Sequence, residues 1–226
     1  MKHYHLIFLM VIPLSFNSLA ETEYMKQHKA ENARGQHELW HRFEITDLYT
    51  RLLPIAEKGD REAQYTVGYL LKSSFQGMRQ DAVEGYKWFR LSAEQGHSEA
   101  QAEVGYAYLQ GGVVKKNYAE AAKWYRLASD GGQVLAPFFL GEIYARGSGV
   151  LQDFTEAAVW YRKGAVLGSS AAQDRLGDSY QNGFGVEIDY VKAHAWYNIA
   201  ATNGWYESAD KRAALAKKMS GAQITE

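Results

Sequence analysis

The sequence predicts an all-α fold of the superhelical kind, a solenoid of stacked two-helix hairpins. Three observations carry that expectation. Trp88, Trp124, Trp160 and Trp196 recur every 36 residues, each followed by an aromatic (Phe89, Tyr125, Tyr161, Tyr197). Columns of Ala (100, 136, 172), Gly (105, 141, 177) and Tyr (108, 144, 180) keep the same spacing, which marks a repeat architecture. Within each unit the apolar residues follow helical spacing, as in Tyr118, Ala121, Ala122 and Tyr125, and no stretch alternates with period two. The composition agrees. The 226 residues include 21 Gly, only 3 Pro and 31 aromatics, so turns and seams must be many.

Taken in order, Met1–Ala20 reads as a secretory signal. Lys2, His3 and His5 precede an apolar run from Leu6 to Leu14, and Ser18 and Ala20 place small residues for cleavage after Ala20. The apolar run is too short for a bilayer, which needs about 20 residues. Residues 21–46 form an N-terminal extension and 47–61 a partial repeat helix. Four full units are expected at 62–98, 99–134, 135–170 and 171–206, and a capping helix with its tail at 207–226. The first helix of a unit starts near Glu62, Glu99, Leu135 or Ala171, with capping boxes expected at Ser98/Gln101 and Ser170/Gln173. It ends at Gly, where a left-handed cap costs little. The second helix opens at Asp81, Asn117, Asp153 and Asp189. Gly141 and its equivalents lie inside a helix, where Gly costs about 1 kcal/mol against Ala, so close packing is their expected reason. The last segment is rich in Lys211, Arg212, Lys217 and Lys218, the polar finish a solenoid end requires.

These residues resemble the Sel1-like repeat, a relative of the tetratricopeptide repeat. The third unit carries the pattern nearly whole: Ala136, Leu140-Gly141, Tyr144, Gly147, Gly149-Val150, Asp153, Ala157, Trp160-Tyr161, Ala165 and Gly168. The resemblance spans roughly residues 47–220 and implies a right-handed solenoid. Departures are Val113 for the second loop Gly of the second unit, and Leu71 and Ser74 for Tyr and Gly in the first. His194 stands where Ala122 and Ala158 stand, and a local hydrogen bond is expected to hold it.

Chemistry finds little purchase in the chain. Cysteine is absent, which excludes thiolate metal sites, disulfides and a Cys nucleophile. The net charge of −1 gives no electrostatic footprint for nucleic acid. His37-Glu38-Leu39-Trp40-His41 matches H-E-x-x-H, which on a helix sets two His one turn apart for zinc. Too few residues surround it to build a cleft, and nothing selects a third ligand among His28, Glu44 and Glu57. Ser208-x-x-Lys211 matches one β-lactamase motif without its two companions. No cofactor is expected.

Repeat proteins bind through positions that vary between units. In the first helices those positions are Tyr65, Tyr69 and Lys72; Ala102, Tyr106 and Leu109; Phe138, Glu142 and Ala145; Asp174, Asp178 and Gln181. The resemblance places this stripe on the concave face. It is aromatic early and acidic late, so it suits an extended peptide with apolar anchors and a basic end. The function expected is an exported, non-enzymatic scaffold for protein partners in a bacterial envelope, periplasmic or secreted, or against a host. The alternatives are an envelope enzyme, either a metal hydrolase built on His37, Glu38 and His41 or a cell-wall-active protein, and a peptidoglycan or glycan binder.

Overall fold

The computed structural model of the chain describes residues 37–73, 80–221 and 223, with side chains from residue 46 onward. The expected signal at 1–20, the start of the extension and the Ser74 loop position lie outside the described residues. The described helices are α1 (His37–Glu57), α2 (Arg61–Lys72), α3 (Ala82–Glu94), α4 (Ser98–Gln110), α5 (Tyr118–Asp130), α6 (Ala136–Arg146), α7 (Phe154–Val166), α8 (Ser170–Asn182), α9 (Tyr190–Thr202) and α10 (Glu207–Ala216). Among the described residues there is no strand. Each helix packs on the one before and the one after, and α6 also touches α8. The hairpins α2–α3, α4–α5, α6–α7 and α8–α9 therefore stack in chain order, as the 36-residue period requires. No described helix is long and apolar enough to cross a membrane.

One contact recurs in every hairpin. The in-helix glycine of the first helix lies under the second aromatic of the paired helix. A Cβ on Gly68 would sit 2.9 Å from Phe89, on Gly105 3.1 Å from Tyr125 and on Gly177 2.6 Å from Tyr197, while on Gly141 it would overlap the Tyr161 ring. The rings are buried: Phe89, Tyr125, Tyr161 and Tyr197 are at most 4% exposed. Around them lie the Ala columns, with Ala100, Ala121, Ala136, Ala172 and Ala193 fully buried. Small residues let the helices approach, and the rings fill the space this leaves.

The helix ends explain the loops. Asp81, Asn117, Asp153 and Asp189 cap the second helices, accepting from the N–H of Glu84, Glu120, Glu156 and Lys192 at 2.9–3.1 Å. Gly111, Gly147 and Gly183 end the first helices with φ of 78°, 64° and 74°. At Gly185, φ is 74° and a Cβ would run into the Phe154 carbonyl. No side chain fits that turn.

The first helices are capped one residue earlier than the sequence suggested. The caps are Asp60, His97 and Ser169, not Ser98 and Ser170. Asp60 Oδ1 accepts from Ala63 N–H at 2.8 Å, His97 Nδ1 from Ala100 N–H at 3.3 Å and Ser169 Oγ from Ala172 N–H at 3.3 Å. At the equivalent place Gln133 Oε1 accepts from Ala136 N–H at 2.7 Å. The glutamines assigned to the capping boxes, Gln101 and Gln173, do something else, and Gln64 does the same. Gln64, Gln101 and Gln173 donate to the carbonyls of Ala56, Ala93 and Ala165 at 3.1–3.2 Å, bracketing each first helix to the preceding second helix. Pro137 replaces this glutamine in the third unit. A second difference concerns the N-terminus. α1 runs unbroken through residue 46, so residues 37–46 of the extension and the partial repeat helix share one helix.

Outer seams use the Trp column. Arg90 lies over the Trp124 ring at 5.1 Å, and Arg126 over Trp160 at 5.8 Å. Arg126 also donates to the Tyr144 hydroxyl at 2.7 Å, and Arg162 to that of Tyr180 at 2.6 Å.

The glycine contact sets a sign test. Ala for Gly in a helix gains about 1 kcal/mol of propensity, whereas overpacking costs about 1–3 kcal/mol. At Gly141 the overlap is with the body of a buried ring, so Gly141→Ala should melt several degrees lower. Gly105→Ala, with its looser 3.1 Å contact, should change far less. Thermal melting followed by circular dichroism reads both; an unchanged or raised Gly141→Ala melt defeats the packing account.

Candidate partner-binding groove

The variable stripe lies along α2, α4, α6 and α8, and its two halves differ. In the early half Tyr69 is 39% exposed and Tyr106 42%. Tyr65 is half-buried. Its ring stacks on His97 with centroids 4.5 Å apart and meets Phe89 at 5.7 Å. Lys72 Nζ donates to Glu103 at 2.6 Å and stands 5.3 Å over the Tyr106 ring. Ala102 and Leu109 are half-buried on α4.

The late half is not the open acidic surface the sequence suggested. Asp174 is 3% exposed, accepting from Ser208 Oγ at 2.6 Å and Lys211 Nζ at 2.7 Å. Asp178 accepts from Lys211 at 2.9 Å, from the Tyr197 hydroxyl at 2.8 Å and from Arg175 at 3.2 Å. Glu142 accepts from the Tyr161 hydroxyl at 2.8 Å and from Arg175 Nε at 2.9 Å, and pairs with Arg146. Phe138 packs against Phe139 and Tyr161, and Ala145 and Gln181 are half-buried. These carboxylates hold the stack and its cap together, so a basic peptide end finds no free charge there.

A pattern joins the two halves. At each seam three columns meet: a stripe residue (69, 106, 142, 178), a residue on the next first helix (103, 139, 175, 211) and the buried ring (89, 125, 161, 197). Between the third and fourth units they are Glu142, Arg175 and Tyr161. Between the fourth unit and the cap they are Asp178, Lys211 and Tyr197. Between the second and third units all three are aromatic: Tyr106, Phe139 and Tyr125, with Tyr125 stacked on Phe139 at 4.8 Å and 12°. The sequence periodicity contained this ladder, but Arg175 was not singled out and Lys211 was read only as part of the polar cap and of a motif match, because their partners Glu142 and Asp174 lie in the preceding unit.

Burial pushes the hydroxyls of Tyr65, Tyr125, Tyr161 and Tyr197 well above their ordinary pKa of 10.0, with nearby carboxylates adding to it. His194 is half-buried; burial lowers its pKa, and the Arg212 guanidinium lowers it further. The H-E-x-x-H residues occupy the start of α1, but the side chains of His37, Glu38 and His41 lie outside the described residues. Ser208 is fully buried and bound to Asp174, so it presents no nucleophile. Two hollows lie near the third and fourth units. One of about 280 Å³ is lined by Glu142, Arg175, Asp178, Phe154 and Phe184. The other, about 570 Å³, runs along the outer face of α7 beside Val159, Val166 and Leu167. These exposed aliphatics were missed in the sequence, although Val159 and Val166 stand where earlier units carry Lys87, Lys123, Glu94 and Asp130.

The comparisons agree with this geometry. The Sel1 repeat model matches residues 61–97, 98–133, 135–169 and 170–207. A Sel1 repeat protein from Oxalobacter formigenes is 34% identical, with a TM-score of 0.69; the alignment covers 73% of this chain and 65% of that one. The chain thus spans about two thirds of that relative's length. A protective antigen of uropathogenic Escherichia coli with an SLR fold is 31% identical over 78% of this chain and 46% of its own, at a TM-score of 0.49. A comparison with curated proteins finds no match.

Two measurements follow. The folded tyrosines stay protonated where an unfolded chain ionises near pH 10.0, so their contribution is whole below that pH and is lost as pH rises above it. Helicity should hold to about pH 10 and then fall together with the last part of the tyrosinate rise; complete tyrosinate formation with helicity intact would contradict burial. Lys211→Met takes the closest cation from the buried Asp174 carboxylate and leaves it the Ser208 hydroxyl. Losing one partner of a buried pair costs about 3–5 kcal/mol, and the 34% exposed ammonium reduces that to about 2 kcal/mol. Adding Asp174→Asn should recover most of the lost melting temperature.

Proposed function

The chain belongs to the Sel1 repeat family, and from that premise we propose that it is an exported, non-enzymatic scaffold that captures protein partners along the groove of its first helices. Sel1 repeat proteins are generally protein-interaction scaffolds and typically not enzymes. The observation that carries the reading is the exposure of two large aromatics of the stripe, Tyr69 at 39% and Tyr106 at 42%. Aromatics supply much of the energy at protein interfaces. The partner segment is extended, with apolar side chains laid between Tyr69 and Tyr106, because α2 and α4 present their stripes one beside the other. The burial of Ser208 supports the non-enzymatic reading.

The place of action is the bacterial envelope, periplasmic or secreted. The support is the charged, apolar and small-residue order of residues 1–20, together with a chain free of cysteine. The native N-terminus, read by mass spectrometry from periplasmic or culture fractions, should be Glu21. A cytoplasmic protein retaining Met1 would sink the export reading.

For the groove, the test pairs binding with folding. Tyr69→Ala/Tyr106→Ala should keep the helicity of the unaltered protein and melt within a few degrees of it, since exposed positions contribute little to stability. It should lose the partners that cross-link to the unaltered protein in native envelopes. Full capture by the double variant would refute the groove.

A further inference from the structure

The ladder of buried ring hydroxyls is complete at two seams and broken at one. Tyr161 donates to Glu142 and Tyr197 to Asp178, each across the same interval of 19 residues. The same interval from Tyr125 leads to Tyr106, which stands where the carboxylates stand. The Tyr125 side chain is 1% exposed, yet its hydroxyl finds no hydrogen-bond partner among the described residues. A buried unpaired hydroxyl costs about 1–3 kcal/mol, and native structures rarely leave one without cause. Ser129 Oγ, the other buried side-chain polar atom without a partner among the described residues, belongs to the same seam, where Pro137 has replaced the bracketing glutamine. This seam therefore lacks two of the stack's own hydrogen bonds. It also lies beside the exposed aromatic pair.

We infer that the seam between the second and third units is completed by the partner: a neutral amide carbonyl of the extended segment accepts the hydrogen bond of the Tyr125 hydroxyl. The inference rests on the groove reading above and names the group that anchors it. A neutral acceptor is chosen on charge. The Glu103 carboxylate acts on the Tyr125 hydroxyl, and Lys72, at 2.6 Å from Glu103, is already paired with it. A second carboxylate would enter beside Glu103, whose lysine is already taken, whereas a peptide or side-chain amide brings the acceptor without the charge. Arg175 and Lys211 support the carboxylates at the other seams; Phe139 holds their place here and offers only an apolar wall. The acceptor reaches the hydroxyl as Tyr106, 42% exposed, turns outward into solvent. Its ring then covers the segment beside Tyr69. Binding and side-chain rotation are thus one event.

The test uses linear peptides selected from a random display library on the full mature chain, then synthesised and titrated. Tyr125→Phe removes only the hydroxyl. It should bind the selected peptides about tenfold more weakly, the loss of a hydrogen bond that leaves a buried carbonyl unpaired. Without peptide it should melt at or above the unaltered protein, because the unpaired group is gone. Tyr106→Gln offers an amide carbonyl from within the chain. It should raise the melting temperature by about 2–4 °C and lose the peptides. Peptides that bind Tyr125→Phe as tightly as the unaltered protein but lose Tyr69→Ala/Tyr106→Ala overturn the hydroxyl anchor and leave the groove standing. A Tyr125→Phe chain that melts lower also overturns it, since the hydroxyl would then be paired in the free protein. Peptides indifferent to every one of these variants, or a library yielding none, defeat the groove and the anchor with it.

Discussion

A helix backbone lying against an aromatic ring governs the whole stack. In each hairpin the glycine at 68, 105, 141 or 177 leaves its helix bare at one point, and Phe89, Tyr125, Tyr161 or Tyr197 lies on it. The contact fixes how closely the two helices approach. It also fixes where the ring's far end points, which is toward the stripe on the first helix. Ring depth and groove chemistry are therefore coupled. A hydroxyl at the ring's tip emerges at the seam, buried but next to the residues that face the groove. Whatever stands in the stripe must answer it.

The chain answers it differently along its length. In the late units a carboxylate accepts the hydroxyl and a cation from the next unit neutralises the carboxylate. Each seam there is a closed set of hydrogen bonds, and the cap helix is fastened by the last of them. Surface ion pairs contribute little on their own. These are partly or wholly buried and linked to a ring, so breaking one leaves several groups unpaired. In the first unit the ring is Phe89, which has no hydroxyl to satisfy, and Tyr65 stacks on the capping His97 instead. Only the second unit combines a Tyr ring with an aromatic at the seam position of the stripe, Tyr106 where later units carry Glu142 and Asp178. The stack is firm at its C-terminal half and unfinished at the seam next to its exposed tyrosines. On the proposed reading, that asymmetry favours one region of the groove for binding, although the repeats share one framework.

Particular residues show how much the sequence disclosed. The second-helix caps at Asp81, Asn117, Asp153 and Asp189 were legible because capping is local: a side-chain oxygen meets an N–H three residues on. The first-helix caps were misplaced by one residue. His97 is outside the usual capping set, and two consecutive serines at 169 and 170 left the pattern ambiguous. The glutamines that seemed to confirm the misplaced caps were responding to another constraint, the carbonyls of Ala93 and Ala165 on the preceding helix. Asp174 was read as surface because an acidic residue in a variable column usually is. Its partners, Ser208 and Lys211, lie more than thirty residues away and meet it only when the cap helix docks.

By itself the sequence determined the period, the helix pairs, the glycine and aromatic columns and the identity of the variable stripe. Those follow from interactions within one unit, repeated four times, and repetition makes a local rule visible. Tertiary structure alone decided which members of the stripe are available. That depends on what the next unit places opposite each one: a cation for Glu142 and Asp178, a serine and a lysine for Asp174, only a ring for Tyr106. Pairing across a seam is a property of two units in register. A side chain's charge is written in its own column, but whether that charge is already matched is fixed by its neighbour's.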